Sequence, residues 1–249
     1  GEPVESIGKG SKRQIGKVSE LSMGYQGGPR AFRMMAKGYG MRIEEYADII
    51  LGNADPILVD EAEDAWETYG KRQGLDKEAW LPAEVVKRAW RGNNPRIVDF
   101  WRDIEDAAIQ ALKKPGAVVT CGPLKFRKAG SFLWMQLPSG RCLCYPYPVL
   151  KRTKTQWGTE KEAIHYKGVH SLTKKWTDLT TYGGKLAENA TQAFARDILV
   201  DGMVRLEAAG YPTILTVHDE IVAELEIGRG SLEEFEEIIR QPPPWATDF

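Results

Sequence analysis

Two groups of residues in this sequence have the types and spacing to do chemistry. Arg13, Lys17, Leu21 and Tyr25 recur every four residues, and on an α-helix that spacing sets them in one row along one face. Two cations one turn apart, with no carboxylate between them on the row, repel slightly. A bound anion is one reason to keep them there. A nucleoside triphosphate suits an Arg, a Lys and a Tyr placed at the helix end to meet a base. A solvated basic face with Tyr25 as a packing residue is the other reading.

The second group is the polar trio His218-Asp219-Glu220, set between the apolar runs Thr213–Val217 and Ile221–Leu225. A carboxylate pair at the tip of an apolar hairpin is costly if desolvated and unpaired, and a divalent cation removes that cost. Phosphoryl transfer uses metal held by a few carboxylates. A plain exposed Asp-Glu turn reads the same way. Upstream, Lys185, Glu188, Asn189, Gln192 and Arg196 fall three and four apart on one side of a helix. Asn and Gln suit hydrogen bonds to base edges or sugars, and an ordinary amphipathic helix fits equally well. A third arrangement, a hydrolase metal site built from His165, His170 and His218, has weak support, because His165-x4-His170 lies in strand or loop context and fits no helical zinc pattern. The 3 cysteines, Cys121, Cys142 and Cys144, make no disulfide framework. Cys142-x-Cys144 is too tight for a zinc knuckle, and buried or strand-face positions are expected.

The elements that must position these groups change character along the chain. Helical patterns cover Lys12–Met23, Ala31–Lys37, Arg42–Leu51 and Asp55–Tyr69. A longer helix begins at Pro82, a good first-turn residue, breaks at Gly92-Asn93-Asn94-Pro95 and resumes to Lys114. After Pro115-Gly116 the texture becomes strand-like, over Ala117–Cys121, Leu124–Lys128, Phe132–Leu137, Arg141–Tyr145 and Ala163–Tyr166, with a hairpin turn at Pro138-Ser139-Gly140. A long helix runs from Gly184 to Ala208, and a short one covers Ser231–Arg240. The fold class is α+β, with an α-rich part over 1–115 and an α+β part over 116–249.

The chain of 249 residues has a net charge of −1, which taken alone points away from nucleic acid. The distribution points back: cations dominate from Lys9 to Arg42 and again from Lys87 to Lys154, while acid gathers from Glu44 to Glu84 and from Asp219 onward. A protein that binds DNA with one face would carry such a pattern, and so would one with solvated charged faces. No apolar run is long enough to span a bilayer, and no secretory signal opens the chain. No membrane partner is expected, and the expected location is the cytoplasm of a bacterial or phage-infected cell. The start at Gly1 and the stop shortly after Gln241-Pro242-Pro243-Pro244 suggest a piece of a longer protein.

Taken in order, these segments resemble the polymerase domain of family A (DNA polymerase I-like) DNA polymerases, particularly phage-type ones. Arg13-x3-Lys17-x7-Tyr25 with a following glycine is similar to the nucleotide-binding fingers helix. Ser139-Gly140-Arg141-x-Leu143-x-Tyr145-Pro146 looks like the strand leading into the palm. Gly183-Gly184-Lys185-Leu186-x-Glu188-Asn189-x-x-Gln192-Ala193 resembles the long palm helix along the primer–template, and Val217-His218-Asp219-Glu220 is similar to motif C. Two departures stand out. Leu21 occupies a position where many members carry Phe or Tyr, which removes stacking on the sugar, and Gln26 intervenes between Tyr25 and the glycine.

The resemblance implies a right-hand polymerase with a helical fingers subdomain (1–115) and a palm subdomain with an antiparallel sheet (116–249). It implies template-directed DNA synthesis, in which a nucleotidyl group passes from a dNTP to a primer 3′-hydroxyl with two Mg²⁺ ions. Asp219 would ligate the metals, Glu220 would support that site and His218 would lie near the primer terminus. Arg13 and Lys17 would grip the triphosphate, Lys17 would protonate the leaving pyrophosphate and Tyr25 would sit beside the nascent base pair. Lys185, Asn189 and Gln192 would contact primer–template DNA. Motif A, which carries the other main metal ligand, is expected upstream or on another chain. The stretches Ala54–Asp64 and Ile97–Asp106 read as acidic helices and supply no substitute. This chain alone is then expected to be inactive, and an isolated palm sheet without the motif A strand is expected to expose an edge and associate. The alternative is a non-catalytic nucleic-acid-binding module derived from a polymerase.

Overall fold

The computed structural model describes residues 11–154 and 160–247, so Gly1 and Lys9 fall outside it. The first half is helical: α1 (Ser11–Met23), α2 (Pro29–Gly38), a 3-10 turn over Ile43–Tyr46, α3 (Ala47–Gly52), α4 (Pro56–Thr68), α5 (Lys77–Asn93) and α6 (Pro95–Lys113). Strands follow as β1 (Val118–Cys121), β2 (Leu124–Ala129), β3 (Phe132–Gln136), β4 (Cys142–Pro146), β5 (Val149–Lys154), β6 (Glu160–Val169) and β7 (Trp176–Thr181). The chain ends through α7 (Gly183–Ala208), β8 (Thr213–Val217), β9 (Glu220–Ala223) and α8 (Leu232–Arg240). The mixture of helices and antiparallel sheet is the α+β class expected. Ala54–Asp64 and Ile97–Asp106 fall largely in α4 and α6, and neither contains a strand.

The backbone divides into two compact units, each assembled from separate stretches of chain. One contains the chain up to Asp106 with Val149–His165 and Leu179–Ala187, and the other contains Ala107–Pro148, Tyr166–Asp178 and everything from Glu188.

In the first unit, α1 turns Val18 and Met23 into a core shared with Phe32 and Ala36 of α2, Trp90 of α5, Trp101 of α6 and Ala187. The Trp90 and Trp101 rings stack with centroids 5.8 Å apart, and the Trp90 indole donates to Glu20 at 2.5 Å. A second cluster joins Ala62 and Ala65 of α4 to Trp80, Leu81 and Val85 of α5. Below it Glu84, fully buried, accepts from the Tyr69 hydroxyl at 2.9 Å, from Lys87 Nζ at 2.6 Å and from Arg88 Nε at 3.1 Å. A buried carboxylate persists when cations and donors surround it in this way.

Pro82 requires a correction. It lies inside α5, which begins at Lys77 under an Asp76 N-cap whose carboxylate accepts from Ala79 N at 2.9 Å. An interior proline removes a hydrogen bond and costs a helix roughly 3 kcal/mol. Burial of Trp80, Leu81, Ala83 and Val85 around it outweighs that cost.

In the second unit, β1 to β4 form an antiparallel meander in sequence order. Leu124, Phe126, Leu133, Met135 and Tyr145 are buried while Lys125 and Arg127 face out, the alternation a half-covered sheet requires. The turn between β3 and β4 closes with Leu137 N donating to Arg141 O at 2.8 Å. Arg141 then fastens the turn to α7, donating from Nε to Asp197 at 2.6 Å and from Nη2 to the Ala193 carbonyl at 2.8 Å, and Ser139 Oγ also bonds Asp197. Cys121 is buried and Cys142 and Cys144 lie exposed on or beside the sheet. The separate sheet of β5, β6 and β7, in that order, has β5 and the first part of β6 in the first unit, and the sequence pattern indicated only the centre of β6.

Candidate active site

α7 sets the first wall of the site. Ala190 and Ala193 are buried, while Lys185, Glu188, Asn189, Gln192 and Arg196 are all exposed, so the polar row falls on the solvent side as its spacing predicts. Asn189 also serves the interior: its Nδ2 donates to the Tyr145 hydroxyl at 2.9 Å. Lys185 lies 5.9 Å from the centroid of the Tyr182 ring.

The hairpin of β8 and β9 sets the second wall. Val217 pairs with Glu220, which leaves His218 and Asp219 as a two-residue turn. His218 has φ 53°, in the left-handed region that the first position of such tight hairpins often requires and that glycine enters most easily. The turn therefore holds an imidazole and a carboxylate at the tip, both exposed, with Glu220 beginning the return strand.

α8 closes the third side. Ser231 caps it, accepting from Glu234 N at 3.1 Å, and Tyr211 braces the approach by accepting from Ser231 N at 3.0 Å. The three walls enclose an open cleft of about 870 Å³ lined by Gln192, Arg196, His218, Asp219 and Glu220, with Phe235 and Ile239 of α8 as its apolar floor. The structure thus brings together four residues that the sequence pattern nominated, Gln192, His218, Asp219 and Glu220. It adds Arg196, whose place on the polar face of α7 was legible but whose place beside the carboxylates was not, and the α8 floor, which carried no signal. Asn189 is on the same helix face but not among the cleft lining.

Arg13, Lys17 and Tyr25 belong to the other unit. Arg13, Lys17 and Leu21 are exposed on α1 opposite the buried Val18 and Ser22. Lys17 Nζ stands 4.8 Å from the centroid of the Tyr39 ring, a cation–π distance. Tyr25 lies half-buried in the turn just past α1.

Among the described residues, no group of three His, Cys, Asp or Glu side chains is placed to hold a metal ion, which leaves the three-histidine arrangement without support. His170 is engaged locally, its Nδ1 accepting from Leu172 N and Thr173 N at 3.3 Å. Asp219 and Glu220 have no ion-pair partner among the described residues. Their hard oxygens fit Mg²⁺, which commonly takes one or two protein carboxylates and completes its shell with water and substrate phosphates.

The chain is similar to a phage DNA polymerase. It is 41% identical over 245 residues to the DNA polymerase of Bacillus phage SP02, a match that covers 98% of this chain and 32% of the relative. The chain spans about a third of the length of the curated relative it matches. No family model matches the chain, and no solved structure matches it. Among the described residues, no helix is long and apolar enough to cross a membrane.

Proposed function

We propose that this chain is the fingers-and-palm part of a family A DNA polymerase and takes part in template-directed DNA synthesis. The observation that carries the reading is the 41% identity to a phage DNA polymerase along 98% of the chain. The cleft that gathers Gln192, Arg196, His218, Asp219 and Glu220 supports it. In this reading residues 1–115 form the fingers and 116–249 the palm of a right-hand polymerase.

The reaction joins the primer 3′-oxygen to the α-phosphorus of a dNTP and breaks the bond to the β-phosphate, releasing pyrophosphate. Asp219, backed by Glu220, would hold Mg²⁺ together with an aspartate of motif A carried elsewhere in the polymerase. The bound metal would lower the charge barrier between the phosphates and the attacking oxygen. Arg13 and Lys17 supply cations for the triphosphate, and the Lys17 ammonium is a proton source for the leaving pyrophosphate. Tyr25 meets the nascent base pair. Gln192, with Lys185 and Asn189, orients the primer–template, and His218 sits at the primer terminus. Most of the catalytic effect in such a site comes from positioning and fixed charge.

Primer extension by the full-length polymerase, wild type against Asp219→Ala, tests the reading. With Mg²⁺, four dNTPs and a primed template, the wild type is expected to extend. The variant is expected to lose roughly 10³-fold or more in rate while still binding DNA. Equal extension by both proteins removes the metal-binding role of Asp219. A wild type that binds DNA without extending it replaces the polymerase with a non-catalytic binding module.

A further inference from the structure

α7 begins without a local cap. The residue before it is Tyr182, whose side chain cannot accept from the first-turn amides as Ser, Thr, Asp or Asn would. The caps arrive from distant parts of the same unit. Gly183 N donates to Glu105 Oε2 of α6 at 3.1 Å, and Gly184 N donates to Gln26 Oε1 at 2.9 Å. Glu105 is buried and is paired with Lys161 at 2.6 Å.

Two glycines are required there by contact. A Cβ on Gly183 would lie 1.9 Å from the Trp101 carbonyl oxygen, and one on Gly184 would lie 2.3 Å from the Tyr25 carbonyl oxygen. The turn carrying Tyr25 is therefore seated on the amino end of α7. Its carbonyls are held in turn: the Trp101 indole donates to Gly24 O at 3.1 Å, and Arg91 Nη2 donates to Gly27 O at 3.0 Å. Gln26 itself has φ 67°, a conformation that disfavours a non-glycine side chain. A glycine at position 26 would relieve that cost and lose the Oε1 acceptor.

We infer that Gln26 is a positioning residue for nucleotide selection: through its bond to Gly184 it fixes the turn that carries Tyr25 against the start of α7. The inference rests on the polymerase reading, in which Tyr25 meets the nascent base pair. It assigns to Gln26 the task of holding the Tyr25 ring at a set height relative to the helix that carries Lys185.

The test uses two variants that share the left-handed backbone of Gln26 in the full-length polymerase. Gln26→Met keeps the length and removes the oxygen acceptor, whereas Gln26→Glu keeps an acceptor oxygen. Amide hydrogen exchange over 183–187 is expected to quicken about fivefold in Gln26→Met, the factor for one typical hydrogen bond, and to stay near wild type in Gln26→Glu. In steady-state incorporation, KM for the dNTP is expected to rise by a similar factor in Gln26→Met, with the primer–template Kd unchanged and Gln26→Glu restoring KM. Unchanged exchange in Gln26→Met overturns the tether. Faster exchange with an unchanged KM overturns the positioning role and leaves a purely structural bond. A wild type that incorporates no nucleotide overturns the polymerase reading and the positioning role with it, while the exchange result still reports the tether by itself.

Discussion

Asn189 donates its side-chain amide to the hydroxyl of Tyr145 at 2.9 Å, so a residue on the exposed face of α7 is also the partner of a buried ring in the meander. Burial pushes the Tyr145 phenol up to about 12. An unfolded tyrosine titrates near pH ~10, so between these values the native state keeps a proton that the unfolded chain has lost. The stabilisation from Tyr145 is complete below about pH 10 and disappears as pH rises through about 12. Urea midpoints are expected to fall across that window in the wild type and to fall less in Tyr145→Phe. Equal falls would assign the alkaline loss to other groups.

His218 holds its turn at φ 53°, where glycine would rest without strain. His218→Gly relieves that strain and also adds freedom to the unfolded chain, terms of about 1 kcal/mol each and opposite in sign. The unfolding midpoint is expected to stay near wild type. In the polymerase reading proposed above, primer extension by the full-length protein is expected to drop, because the imidazole leaves the cleft. If the rate is unchanged, His218 serves the turn and not the reaction.

Glu84 is fully buried beneath Lys87 and Arg88. Burial holds the Lys87 ammonium below its ordinary value, and the neighbouring Glu84 offsets only part of that shift. Glu84→Ala removes the carboxylate shared by Lys87, Arg88 and the Tyr69 hydroxyl, and although Arg88 keeps Glu61 at 2.5 Å, the Lys87 ammonium loses its buried partner, at an expected cost of about 3 kcal/mol in urea unfolding. Glu84→Gln, which keeps acceptor and volume, is expected to cost less. A small effect of the alanine variant would show that water reaches these cations once the carboxylate is gone.

The β8–β9 ribbon presents Ile214, Leu215, Val217 and Val222 to solvent. Two strands with an apolar face and open edges invite further pairing. The chain of 249 residues, expressed by itself, is expected to self-associate by light scattering, and Leu215→Lys is expected to reduce the effect. A clean monomer at high concentration would show that this face tolerates water.

What was legible in the sequence followed from strong periodicity. The four-residue spacing from Arg13 to Lys17 to Leu21 predicts the exposed row of α1, and the polar trio between two apolar runs predicts the β8–β9 turn. β5 and β7 were not legible. Lys151 and Arg152 give β5 the look of a basic loop, and Thr177, Asp178 and Thr180 give β7 the look of a polar connection; pairing with β6, not apolar burial, makes them strands. Pro82 is a strong local start signal that falls inside α5; the helix starts under the equally local Asp76 cap, and the burial against α4 that lets the proline stay inside it is not local. The bond from Gly184 to Gln26 joins residues 158 apart, and no local rule reaches that far.

The glycine pair at the head of α7 also bears on recombination. Glycines 183 and 184 leave no room for a methyl group against the carbonyls of Trp101 and Tyr25, so three distant stretches of the gene share one fitted joint. A chimera that imports the region around Tyr25 from a related protein, with its crossover before Trp101, inherits a joint cut for a different partner. Crossovers that carry residues 24–27, 101–105 and 183–184 as one set should give more folded hybrids than crossovers chosen by sequence continuity.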